Sequence, residues 1–314
     1  MKNTIKIIMF ITIAAIIYMG LSYLFIPKLN IKKYGMYNTS MYELLAEKQN
    51  TIDTIVLGDS LVYSAISPME IYSKHGYTVF DCAEPAQIMS DAYEYYKIAI
   101  DSQNPKIVII EPNMFFRDPK EKPWFNKTLK ILKNVFPLVK YHNNWKNLFF
   151  GKNWGHINKG YIKILHTKSG FEYDYMAEEL NDNPYVKGKY KAIIPSKNNI
   201  YIKKIIEDCK KRNIKVLLLG VPSQRCWNYE KHKVIMKLSK QYGVEYINLN
   251  LDDRIDIDWK KETKDRGNHL NYLGAKKVSE FLGNYLNSTN IVESHKHKKG
   301  YEGWDQVLKT YMKS

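Results

Sequence analysis

Five short apolar runs punctuate the chain: Thr54–Leu57 (TIVL), Thr78–Phe80 (TVF), Lys106–Ile110 (KIVII), Lys215–Leu219 (KVLLL) and Glu245–Leu249 (EYINL). Near-continuous Val, Ile and Leu suit strands buried on both faces of a parallel sheet. Helical spacing lies between most of them. Asp91–Ser102 has an acidic start, 197–213 ends in a basic turn, and Glu230–Tyr242 stops at Gly243. Tyr272–Leu286 closes the series, with Asn271 as its N-cap. This alternation predicts an open, mostly parallel α/β sheet with right-handed crossovers.

Two regions depart from that pattern. From Ile7 to Pro27 there is no charged residue, and the run IIMFITIAAIIYMGLSYLFI is 20 residues long. A helix of that length covers about 30 Å of hydrocarbon. It has no convincing small-x-small cleavage site, so residues 1–27 are expected to form an uncleaved single-pass anchor. Lysines flank it on both sides (Lys2 and Lys6, then Lys28, Lys32 and Lys33), so charge does not fix its orientation. The second region, 119–195, is rich in Asn, Lys, Trp and Tyr and reads as an insertion, a lid or groove as readily as a surface elaboration. Trp124, Trp145 and Trp154 are expected to form its own small core rather than to stack on sugar. The stretch 291–314 reads as a polar, basic tail with at most one short helix, and His295 and His297 as solvated rather than metal-binding.

Composition narrows the function classes. With 45% hydrophobic and 25% charged residues, a sizeable core can form. Three cysteines (Cys82, Cys209, Cys226) are too few for a disulfide scaffold or a four-thiolate zinc site, and Cys82 reads as a buried thiol. The net charge is +16, almost all of it from Lys. An Arg-poor surface fits diffuse attraction to a polyanion better than base reading, so nucleic acid is not the expected partner. Anionic lipid or wall polymer is served equally well.

The chemistry-bearing residues lie at two sheet edges far apart in sequence. Gly58-Asp59-Ser60-Leu61 directly follows the first strand. Ligands of open α/β sheets bind beyond the carboxyl ends of strands, which is where Ser60 falls. Gly58 permits a tight turn, and a helix starting near Leu61 would aim backbone N–H groups at an oxyanion. A serine hydroxyl needs a base within hydrogen-bond reach. The candidate is His269, in KDRGNHLNYLGA (264–275) before the last helix, with Asp265 four residues earlier to hold its tautomer.

GDSL after the first strand and D-x-x-x-H-L-N-x-x-G-A before the last helix resemble the SGNH/GDSL hydrolase superfamily, over about Thr51 to Leu286. The resemblance implies a flavodoxin-like three-layer α/β/α domain, here 28–290, that cleaves or transfers acyl esters through Ser60, His269 and an acid. Members usually place Asp three residues before the His. That position is Arg266 here, and Asp265 stands one further back, leaving Asp258, Glu262 or a Ser–His dyad as alternatives. The family's oxyanion-hole glycine near the end of strand two is missing: FDCAEPAQ puts Ala83 or Glu84 there. The Asn after strand three is matched by Asn113. No metal or nucleotide cofactor is implied.

An N-terminal anchor before such a domain resembles a narrower group, envelope proteins that work beside membrane-bound O-acyltransferases, and Lys140–Asn147 resembles a stretch of small anchored members of the superfamily. That implies a domain outside the cytoplasm acting on esters of an envelope polysaccharide or wall polymer. The competing expectation is a non-catalytic scaffold or binding protein of an envelope acylation complex, in which the missing glycine and displaced Asp mark a decayed site.

Overall fold

The computed structural model describes residues 2–25, 44, 47–118, 171, 176–178 and 191–312. Trp124, Trp145, Trp154, the Lys140–Asn147 stretch and nearly all of the insertion lie outside them. The chain divides into two compact units, one carrying the first helix and the other carrying the sheet.

In the first unit, α1 (Lys2–Phe25) is 24 residues long. Its window Thr4–Leu21 has a mean hydropathy of 2.1, and its side chains are unburied, Phe10 being 73% exposed. An apolar helix of this length near an N-terminus meets the requirement for crossing a membrane and equally that for a signal sequence.

In the second unit, five strands form one parallel sheet: β1 (Thr54–Gly58), β2 (Val79–Ala83), β3 (Ile107–Ile110), β4 (Lys215–Gly220) and β5 (Glu245–Asn248). Their order is β2-β1-β3-β4-β5. Four strands sit within a residue of an apolar run, and β2 runs three residues past its run through Asp81, Cys82 and Ala83, all buried. The two faces separate cleanly. Ile55, Leu57, Phe80, Val108, Ile110 and Leu218 pack beneath α4 (Met89–Ser102), α5 (Ser196–Lys211) and α6 (Tyr229–Tyr242). Val56, Val79, Ile107, Ile109, Leu217 and Leu219 pack beneath α2 (Ser60–Ala65), α3 (Pro68–His75) and α7 (Tyr272–Thr289). The result is the expected flavodoxin-like three-layer α/β/α arrangement. Cys82 is fully buried on β2.

Strand register sets the shape of the sheet's carboxyl rim. Gly58 pairs with Ala83, and Leu57 with Ile110, so β1 and β2 end level and β3 one residue short of them. In this strand order the chain leaves β1 and β3 in opposite directions, opening a crevice between their carboxyl ends.

The basic tail differs from expectation. His295 is only 4% exposed, its Nε2 lies 2.6 Å from Asp53 Oδ2, and its ring stacks on Tyr301 at 4.0 Å. After it, α8 (Glu302–Tyr311) returns to the core. Trp304 and Tyr311 are buried, Val307 and Leu308 pack beside them, and Tyr72 donates a 2.9 Å hydrogen bond to Asp305. These apolar positions fall at i, i+3, i+4 and i+7, one face of a helix. The stripe is short and set among polar residues behind the basic stretch 296–299, which is why the segment reads as solvated. His297 alone of the pair is exposed, at 84% of its side chain.

Truncating a buried tryptophan removes its packing and leaves a cavity worth about 3–5 kcal/mol. Trp304→Ala should therefore lower the urea midpoint of the full chain in detergent, read by circular dichroism, while exposed Lys309→Ala leaves it unchanged. Equal midpoints for both variants would mean that the C-terminal helix adds nothing to the fold.

Candidate active site

The first half of the site is a strand-to-helix turn. A Cβ on Gly58 would lie 2.1 Å from Val62 Cγ2 and 3.1 Å from Glu111 Cβ, so no larger residue lets α2 double back over the end of β1. Asp59 caps α2: its Oδ1 accepts from the Leu61 N–H at 3.0 Å, while its Oδ2 is paired with Arg117. At 1% exposure Asp59 is structural, fixing the turn rather than facing the site. Ser60 is the first residue of α2 and stays partly exposed. Its N–H is among the first four of the helix, which have no acceptor within it.

The second half is a hairpin. β6 (Thr263–Lys264) and β7 (His269–Leu270) pair antiparallel, with Lys264 opposite His269. Between them Asp265, Arg266 and Gly267 take φ of 48°, 57° and 78°. Left-handed backbone at a non-glycine residue costs about 1–2 kcal/mol. Here it turns the Asp265 carboxylate back on the histidine. Oδ1 accepts from the His269 N–H at 2.8 Å, and Oδ2 lies 2.6 Å from Nδ1. The far side of the ring completes the relay, with His269 Nε2 2.8 Å from Ser60 Oγ. With Nδ1–H donating to the carboxylate, Nε2 is the acceptor for the serine proton. The four-residue spacing thus fits because the extra residue is taken up in this turn. Asp258 and Glu262 are engaged elsewhere, Asp258 with the Lys260 N–H at 3.0 Å and Glu262 with Lys277 at 2.9 Å.

Neighbouring segments hold the hairpin in place. Ser223 Oγ donates to the Asn268 carbonyl at 2.7 Å, Gln224 N–H to the Gly267 carbonyl at 2.9 Å, and Arg225 Nε to the Arg266 carbonyl at 2.6 Å. Behind the histidine, Asn271 caps α7 through the Leu273 and Gly274 N–H groups at 3.0 and 3.3 Å. A Cβ on Gly274 would meet the Glu262 carbonyl at 2.5 Å, so this glycine lets α7 pack against the hairpin's base. The H-L-N-x-x-G-A pattern is therefore a packing requirement as well as a source of the base.

The remaining candidates line the same sheet rim. Ala83 ends β2 in register with Gly58. Glu84 follows it, with its carboxylate turned to accept from Tyr95 Oη at 2.9 Å. Asn113 lies in a 3-10 turn (Pro112–Phe116) directly after β3 and is 7% exposed. Its Oδ1 accepts from Lys231 Nζ at 2.8 Å. An ammonium only donates, so this contact fixes the amide and leaves Nδ2 as its free end. Three residues here escaped the sequence reading. Glu111, fully buried, caps the 3-10 turn through Asn113 N–H at 3.1 Å and accepts from Trp227 Nε1 at 3.2 Å. Burial, and then the charge of Asp59, push its carboxyl well above the ordinary glutamate range. Arg117 neutralises Asp59, and Lys231 orients Asn113. Of these only Arg117 carries a signal in the sequence, as one of few arginines; Lys231 is lost among many lysines. Among the described residues no group of three or more His, Cys, Asp or Glu could hold a metal ion.

No known family profile matches the chain, and no curated protein matches it. Solved structures do resemble it. A lipase/acylhydrolase from Enterococcus faecalis aligns at 10% identity and TM-score 0.42, over 78% of this chain and 99% of its own. A GDSL-like lipase from Bacteroides thetaiotaomicron aligns at 13% identity and TM-score 0.40, over 79% and 95%.

Burial pushes the Asp265 carboxyl up, but the hydrogen bonds and charge of His269, with help from Asn268, outweigh it and leave the group below the ordinary Asp range. A carboxyl depressed by folding holds its interaction above its unfolded value and loses it as pH falls through the folded one. Carbon-detected NMR should give an Asp265 midpoint below 3.8, rising in His269→Ala. A midpoint indifferent to that substitution would separate the two side chains.

Proposed function

We propose that this chain is an SGNH/GDSL-type serine enzyme that cleaves or transfers acyl esters through a covalent acyl-enzyme. One observation carries the reading: a hydroxyl, an imidazole and a carboxylate in series, at 2.8 and 2.6 Å, at the carboxyl edge of a parallel sheet. His269 Nε2 takes the Ser60 proton as Oγ bonds to the ester carbonyl carbon. The carbonyl oxygen becomes an oxyanion, stabilised by the Ser60 N–H, an N–H at Ala83 or Glu84 and the Asn113 amide. Collapse breaks the ester bond, and the leaving alcohol takes the proton from His269. The acyl group then passes to water, which makes the chain an esterase, or to a sugar or polyol hydroxyl, which makes it a transferase. In both cases His269 removes the acceptor's proton and returns it to Ser60. Asp265 holds the ring's tautomer and balances the imidazolium.

The residues that depart from the family pattern are compatible with this chemistry. Ala83 and Glu84 each carry a backbone N–H whatever the side chain, so the missing glycine removes space rather than a donor. In the same reading α1 is a single-pass anchor and the sheet unit works at the outer face of the cell membrane, beside a membrane-bound O-acyltransferase. The +16 charge supports an anionic wall polymer or envelope polysaccharide as substrate.

Ser60→Ala should abolish both hydrolysis of a p-nitrophenyl ester and labelling by a fluorophosphonate. His269→Ala should lower kcat by about 10³-fold or more, and Asp265→Asn by a smaller factor because Asp265 is partly solvated. Undiminished labelling of Ser60→Ala would end the proposal. For the anchor, the full chain should sediment with membranes and require detergent for release, whereas a chain begun at residue 28 should not. Release of the full chain by salt alone would contradict an inserted helix.

A further inference from the structure

Beside the oxyanion residue lies a cavity of about 360 Å³. It opens between the 3-10 turn that follows β3 and the start of α6, and its lining includes Asn113, Phe116, Arg117, Lys191, Asn228 and Lys231. Three of these six are cations and none is an acid. The cavity adjoins the reacting centre twice over, because Asn113 is the candidate oxyanion donor and Arg117 grips Asp59, the residue before Ser60.

The cations are under-neutralised. Lys231 Nζ donates to two neutral oxygens, Asn113 Oδ1 at 2.8 Å and the Cys226 carbonyl at 2.6 Å, and lies 5.4 Å above the Phe116 ring. An ammonium has three N–H groups, so one donor remains. Among the described residues neither Lys231 nor Lys191 has a carboxylate in ion-pair contact. Two buried acids act on Lys231 from a distance; Asp59 is paired with Arg117, and Glu111 serves Trp227 and the Asn113 N–H, with burial favouring its neutral form. Arg117 spends its Nη2 on Asp59, and its Nε is buried with no acceptor. On the same first turn as Lys231, Asn228 caps α6 and also lines the cavity, so the positive end of that 14-residue helix adjoins the same space. The one acid of its first turn, Glu230, is turned to Lys233 at 2.9 Å.

Unspent N–H groups and uncompensated charge in a confined space fit an anion, since a desolvated donor without an acceptor is costly and a charged partner repays it. We propose that this cavity is a subsite for an anionic oxygen group, a phosphate ester or a carboxylate, borne by the substrate a few bonds from its scissile ester. The inference rests on the acyl-transfer reading above and deepens it, because it makes the substrate's own charge the basis of selection. Arg117 and Lys231 would receive the oxygens from below and Lys191 from the rim, holding the neighbouring carbonyl over Ser60.

The test uses the full chain in detergent and three matched p-nitrophenyl esters, with an acyl chain ending in a methyl, a carboxylate or a phosphate group. The wild type should favour at least one anionic ester over the neutral one by tenfold or more in kcat/KM, the difference lying mainly in KM and shrinking with added salt. Lys191→Gln should reduce the anionic-to-neutral ratio several-fold. Which anionic ester leads distinguishes phosphate from carboxylate as the natural group. Inorganic phosphate should compete with the preferred ester. Fluorophosphonate labelling of the wild type, run in parallel, separates the two readings. Labelling with equal use of all three esters overturns the subsite alone, and absence of labelling overturns the acyl-transfer reading beneath it.

Discussion

Two side chains 209 residues apart in sequence, Ser60 and His269, meet at 2.8 Å, and the architecture around them serves that contact. Neither is held by a flexible surface loop alone. Ser60 rides on a helix start pinned from three sides, by the Asp59 cap, the Arg117 pair and the close packing of Gly58 against Val62. His269 rides on a short hairpin tied by the Asp265 carboxylate inside the turn and by Ser223, Gln224 and Arg225 outside it. Such double anchoring lets a 2.8 Å hydrogen bond persist at the rim of a sheet rather than fluctuate with the loops.

The rim also concentrates ionisable side chains, Asp59 and Glu111 buried and Arg117 and Lys231 partly buried. Asp59, Glu111, Arg117 and Lys231 cluster where β1 and β3 end, and each has a local role. Asp59 and Glu111 cap two helical turns, Arg117 is a counter-ion, and Lys231 clamps an amide. Burying them costs free energy that hydrophobic residues of the same shape would not. Asp59 and Arg117 are paired, whereas Lys231 and the Arg117 Nε keep N–H groups unspent beside the candidate site.

Opposite demands govern the far end of the sheet. Asp53, just before β1, is clasped by His295 from the tail, and α8 lays Trp304 and Tyr311 on the core beside α3. The tail thus closes the amino edge of the sheet while the carboxyl edge stays open. The contacts that tie down the tail and the candidate site lie at opposite ends of the same strands, the latter at the carboxyl ends where open α/β sheets bind ligands.

By itself the sequence determined the elements that depend on local pattern. Apolar runs marked all five strands, clearest in β1 to β4, which are buried almost throughout, while edge strand β5 is half-exposed, and 3.6-residue spacing with caps such as Asn271 marked the helices between them. The candidate nucleophile and base, Ser60 and His269, could be singled out because fold topology forces a residue after β1 and one before the last helix to the same edge. The features that stayed open or hidden depended on three-dimensional turns and on identities that recur too often to stand out. Asp265 was read as the acid only alongside Asp258, Glu262 and a dyad, because it reaches His269 through three successive left-handed residues, a conformation no propensity announces for Asp and Arg. Lys231 is one lysine among many until α6 brings it to Asn113. The tail's short amphipathic stripe, set in a polar and basic segment, gained meaning only when the core offered it a surface. Sequence carries periodicity and order along the chain, whereas partnership between distant groups is set by where the backbone turns, and only the folded chain shows that.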